Sequence, residues 1–93
     1  MRSEIVLEVI SKMGGTYGEY FQSTRGSKDV AFRRQVAMTL RAENHTLTSV
    51  GKTFGRYRTT IRSAIAKVQA RRDNDAIFNL LYKEMRDATR DAI

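Results

Sequence analysis

Arg56-Tyr57-Arg58-Thr59-Thr60-Ile61 sets two arginines and two adjacent threonines at the head of a segment whose apolar residues, Ile61, Ala64, Ile65 and Val68, recur at helical spacing. That combination suits recognition of a duplex. The first turn of a helix presents N–H groups without intrahelical partners and the positive end of its dipole, so hydroxyl and guanidinium groups there reach phosphates and base edges together. Arginine pairs bidentately with guanine and a threonine methyl packs on the thymine methyl, which makes Arg58, Thr59 and Arg62 the candidates for base contact. Thr60, Lys52, Arg56 and Lys67 are placed for phosphates, and Tyr57 for stacking on a sugar or base. The two threonines could instead cap their own helix by satisfying its orphan N–H groups, and spacing alone leaves both roles open.

A second basic group, Arg25, Lys28, Arg33 and Arg34, lies in or just after the polar stretch Ser23–Lys28. As a flexible arm it would reach the minor groove, whose potential is most negative in narrow A·T tracts. As ordinary loop charge it would only be solvated. His45 reads as a surface residue at a helix boundary.

Charge distribution points the same way. The 93-residue chain carries a formal net charge of +7, and it is segregated. Between Ser23 and Arg72 stand twelve Lys or Arg against only Asp29 and Glu43, a net of +10, while the two flanks together carry a net of −3. A polyanionic partner follows from such a stripe. With no cysteine and one histidine, disulfides, thiol chemistry and the usual zinc sets are not expected, and neither is any metal or cofactor. A chain this short buries only about 60 to 65 per cent of its unfolded surface, which leaves little room for a catalytic cleft. We expect a non-enzyme. No apolar run is long enough to span a bilayer and no signal-peptide pattern opens the chain, so a cytoplasmic location is the expectation.

Apolar residues recur at three and four positions throughout, without proline or strand alternation, which predicts an all-α chain: one domain over residues 1–93, a compact bundle of about six helices. The first helix runs from Ser3 to Met13, with Ile5, Val6, Val9, Ile10 and Met13 in one stripe, and Gly14-Gly15 ends it. Tyr17–Phe21 forms one short helical turn donating Tyr17, Tyr20 and Phe21 to the core. A long helix follows from an N-cap at Asp29 to Glu43, with Phe32, Val36, Ala37 and Leu40 inward. Thr46 caps a shorter helix, Leu47–Phe54, which Gly55 terminates in the left-handed conformation. The next helix spans Arg58–Arg71, with Arg62, Ser63, Ala66, Lys67 and Gln69 on its outer face. A short helix, a glycine-containing turn and a longer helix make a helix-turn-helix. The last helix, from Asp73 or Asn74 to Ala92, offers Ile77, Phe78, Leu81, Tyr82, Met85 and Ala88 for packing.

Three segments, in order and in register, resemble the C-terminal DNA-binding domain of the bacterial replication initiator DnaA. Arg34-Gln35-Val36-Ala37-Met38 resembles that family's R-Q-x-A-M. Asn44-His45-Thr46-Leu47, with Val50-Gly51 and Phe54-Gly55, resembles N-H-S-L-P-E-I-G-x-x-F-G. Arg56-Tyr57-Arg58-Thr59-Thr60-Ile61 resembles R-D-H-T-T-V. The resemblance covers nearly the whole chain and implies a six-helix fold on duplex DNA, with the threonine-containing signature in the major groove and the basic loop toward the minor groove. Carried over, Arg56, Thr59 and Thr60 fall on contact positions, Lys28 in the basic loop, and Arg34 and Gln35 at the start of the helix after it. The departures bear on the site: one glycine of F-G-G-R is missing, Tyr57 stands for the aspartate, Arg58 for the base-contacting histidine, Arg33 for a proline, and Thr48 and Ser49 for P and E. A preferred site other than the DnaA box is therefore expected. No G-x-x-x-x-G-K-[ST] is present, so no ATPase module or nucleotide ligand is expected.

The expected function is sequence-specific binding of double-stranded DNA by a stand-alone regulator of transcription or replication, of a bacterium, prophage or phage. Two other classes remain open at this point. One is an adaptor docking on replication or transcription proteins, with Tyr82, Met85 and Ile93 as anchors; the other is a sequence-indifferent nucleoid protein.

Overall fold

A computed structural model describes residues 3–21 and 27–89, with side chains described for 7–20 and 27–88. All six expected helices are present: α1 (Ser3–Met13), α2 (Tyr17–Phe21), α3 (Lys28–Ala42), α4 (Leu47–Phe54), α5 (Arg58–Asn74) and α6 (Ala76–Thr89). No strand occurs among the described residues.

Each boundary has a local cause. α1 ends at Gly14 and Gly15, both at positive φ. Thr16 then opens α2 with a capping box: its hydroxyl accepts from the Glu19 N–H at 3.3 Å, and the Glu19 carboxylate accepts from the Thr16 N–H at 2.8 Å. The cap of α3 is Ser27, not Asp29, because the Ser27 hydroxyl accepts from the Val30 N–H and puts Asp29 in the first turn. Lys28 is consequently the first residue of α3 and not part of the preceding loop. α5 runs three residues past the expected Arg71, and α6 starts later than expected. Asp75 explains both. Its extended backbone stops α5, and its carboxylate accepts from the Phe78 N–H at 3.0 Å as the cap of α6.

α3 is the central element, packed by α2, α4 and α5, while α6 lies against α1 and α5. Two apolar clusters meet across it. The larger joins Val9, Ile10 and Tyr20 to Val36, Leu40, Phe78, Tyr82 and Met85; the smaller joins Met38, Val50, Ile61 and Ala64 beneath the helix-turn-helix. Phe54 packs on both. α3 therefore buries more than one stripe, and Thr39, also buried, satisfies its hydroxyl by donating to the Gln35 carbonyl at 2.8 Å.

One packing expectation is corrected, and one of the two roles open to Tyr82 and Met85 is selected. Ile77 is exposed on α6, as is Leu80. Tyr82 and Met85, the anchors of the adaptor reading, are completely buried and belong to the core; Ile93 lies outside the described residues. The side chains of Ile5, Val6 and Phe21 lie outside the described ones as well.

Candidate nucleic-acid interface

The turn between α4 and α5 depends on two glycines, Gly51 for close approach and Gly55 for its left-handed backbone. Thr46 caps α4 by accepting from the Ser49 N–H at 3.1 Å. At the other end Gly55 takes φ 66°, ψ 40°, so that its N–H reaches the Lys52 carbonyl and the Arg56 N–H reaches the Gly51 carbonyl at 2.8 Å. These paired bonds form a Schellman motif. They draw the chain back so closely that a Cβ on Gly51 would lie 2.5 Å from the Arg56 carbonyl oxygen. Val50, Ile61 and Ala64 fix the two helices together from below.

α5 then starts without a side-chain cap. Tyr57 holds the N-cap position with extended backbone, but its side chain makes no cap hydrogen bond. Among the described residues neither the Thr59 nor the Thr60 hydroxyl forms a hydrogen bond, so the capping alternative for this pair does not operate. Both are exposed, with Lys52, Arg56, Tyr57, Arg58, Arg62 and Lys67. Thr48, Gly51, Lys52, Gly55, Arg56, Tyr57 and Arg58 line an open concavity of about 350 Å³ between the two helices. Thr48, named from sequence only as a departure from the family's proline, is thus also at this surface, in the first turn of α4.

Several positive side chains are held within the fold. Lys12, Arg33, Arg71 and Arg86 each pair with carboxylates. Arg72 donates to the Asn79 side chain at 2.7 Å and lies over the Tyr82 ring at 4.3 Å. By contrast, among the described residues none of Lys52, Arg56, Arg58, Arg62 and Lys67 pairs with a carboxylate. These five share the α4–α5 surface.

Of the remaining candidates, Lys28 and Arg33 do not join that surface. α3 and α5 run antiparallel, since Met38 clusters with Ile61 and Ala64 while Phe32 meets Arg71. Lys28 therefore stands toward the Arg71 end of α5, about 20 Å along the axis from Arg58 at 1.5 Å per residue. Arg33 is turned inward: it bonds the Glu19 carboxylate at 3.0 Å and lies across Gly15. Arg34 and Gln35 are half-buried on α3. Arg25 lies outside the described residues.

Short helix, Schellman turn and long, outward-facing basic helix on an all-α scaffold define a helix-turn-helix module. The bacterial dnaA protein helix-turn-helix profile matches residues 3–68, and the chain belongs to that family. The family is a DNA-binding domain and not a catalytic one. No solved structure matches the chain. The family match ends inside α5, at Val68, so the end of that helix and all of α6 lie beyond it. No helix among the described residues is long and apolar enough to cross a membrane, and none of their acidic or histidine side chains gather in threes to hold a metal ion.

Proposed function

We propose that the chain binds double-stranded DNA with sequence preference, placing the Arg58 end of α5 in the major groove, and that it regulates transcription or replication from that site. The observation carrying this reading is a cluster of cations: five exposed Lys and Arg without a carboxylate partner gather on α4, α5 and the turn between them, while Lys12, Arg33, Arg71 and Arg86 are paired within the fold. Arg58, Thr59 and Arg62 read base edges; Lys52, Arg56, Thr60 and Lys67 hold phosphates on either side. Lys67 is nine residues beyond Arg58, about 13 Å along the axis, and thus fits the far wall of a groove about 12 Å wide. Lys28 extends toward the flanking minor groove. The separation of about 20 Å between the two ends of α5 is close to half a turn of B-DNA, about 17 Å, which supports that double engagement.

Random-oligonucleotide selection with the purified chain, followed by fluorescence anisotropy on the selected and a scrambled duplex, tests the reading. A consensus site bound more tightly than its scramble supports it. Equal binding to both would leave a sequence-indifferent nucleoid protein, and no binding in dilute buffer would remove the DNA ligand altogether.

A further inference from the structure

Tyr57 is the most exposed large apolar side chain among the described residues, at 82 %. It heads α5, where its carbonyl accepts from the Thr60 and Ile61 N–H groups but its side chain makes no cap hydrogen bond. Tyr57 stands in the chain between exposed Arg56 and Arg58 and lines the same concavity as Gly51 and Gly55. A phosphate needs only a cation or a hydroxyl, and Lys52, Arg56 and Thr48 already supply both there. An aromatic body serves an apolar partner. At the leading residue of a helix entering the major groove, the apolar partner on base edges is the C5 methyl group of thymine.

We infer that Tyr57 is a specificity-determining residue whose ring packs against a C5 methyl in the major groove, so that the preferred site carries thymine, or 5-methylcytosine, opposite the start of α5. The inference rests on the groove orientation proposed above and adds to it the chemistry of one base position. Arg58 and Arg56 flank the ring and fix it over that base by pairing with neighbouring groups.

Deoxyuridine supplies the test, because it removes the methyl and keeps the hydrogen-bonding edge. Anisotropy is read for the wild-type chain, Tyr57→Phe and Tyr57→Ala on the labelled selected duplex, then on versions carrying one deoxyuridine for thymine at a time. Thr59→Ala, run in parallel, marks any thymine read by the threonine methyl. One thymine should emerge whose replacement weakens wild type and Tyr57→Phe about fourfold, the worth of one buried methyl, and weakens Tyr57→Ala no further. Thermal melts by circular dichroism check that the variants fold. Deoxyuridine sensitivity unchanged in Tyr57→Ala at every thymine overturns the inference. So does an equal loss by that variant on selected and scrambled duplexes, which would make the ring a backbone contact. Both outcomes leave the wild-type preference for the selected site intact; its absence would instead refute base reading itself.

Discussion

The Arg56 N–H donates to the Gly51 carbonyl at 2.8 Å, and the Arg56 carbonyl oxygen lies 2.5 Å from where a Gly51 side chain would begin. The α4–α5 turn closes on itself at this point, and no methyl group fits inside it. Alanine at residue 51 would gain about 0.8 to 1 kcal/mol of helix propensity. Overpacking against rigid backbone costs about 1 to 3 kcal/mol and wins. Gly51→Ala should lower the urea midpoint and weaken DNA binding together, because the angle between the two helices must open. A midpoint at or above wild type would show that the turn tolerates the methyl.

Tyr57 leaves α5 without a side-chain cap, so Tyr57→Asp supplies one. Stability should rise by about 0.5 to 2 kcal/mol through the new hydrogen bond and the favourable dipole. Affinity for the selected duplex should fall, because the exposed ring is lost from the concavity that Arg56, Arg58 and Lys52 line. Denaturation and anisotropy measured on the same preparation should move in opposite directions.

Base-reading and phosphate-holding residues separate by what their loss does to preference. Arg58→Ala and Thr59→Ala should each cost about 1 to 3 kcal/mol on the selected duplex and little on a scrambled one. Lys52→Ala should weaken both alike. Six or so phosphate contacts give a slope of log affinity against log salt of about −5, and Lys52→Ala should make it shallower by about one. Equal losses from all three variants on both duplexes would refute the division.

Arg33 belongs to the fold by geometry. Its guanidinium holds Glu19, whose other oxygen caps α2, and covers Gly15. Arg33→Ala should destabilise by about 1.5 to 3 kcal/mol, the range for a hydrogen bond to a charged group. Affinity for the selected duplex, measured well below the melting temperature, should change much less than in Arg58→Ala.

Asp75 confers a defined pH dependence. The Phe78 N–H, and after it the Arg71 guanidinium, hold its carboxyl below the usual carboxylate range. A folded-state pKa below the unfolded one means that its contribution is fully present above about pH 4 and is lost as pH falls through the lowered value. Asp75→Asn keeps a capping oxygen and removes the charge. The wild-type advantage in urea midpoint over this variant should hold at pH 6 and shrink toward pH 3; a constant difference would assign the effect to something other than ionisation.

Local chemistry made most of the architecture legible. Thr46 and Gly55 bracket α4 as their side-chain and backbone preferences dictate, and the offsets of Ile61, Ala64 and Val68 identify the inner face of α5. α3 was harder to read because it is buried on two sides: Met38 and Thr39 face inward next to Val36, Ala37 and Leu40, which no single helical stripe anticipates. Competing caps account for the boundary errors, since Ser27 and Asp29, or Asp73, Asn74 and Asp75, all carry acceptors and only three-dimensional geometry selects one. For the site, the exposed end of α5 could be read from residue order. The inward turn of Arg33 could not, because its partner Glu19 is fourteen residues away across a turn.

Arg71 sits over the Phe32 ring at 5.7 Å and the Phe78 ring at 5.4 Å while bonding Asp75. That clamp grips α5 about 20 Å from Arg58, and a straight helix behaves as a lever over such a span. A tilt of only about 3° at the fulcrum swings the tip by about 1 Å at this length. On the groove orientation proposed above, the aim of that tip is set jointly by the Val50, Ile61 and Ala64 contact beneath it and by an arginine and two phenylalanine rings lodged at the opposite extremity of the rod.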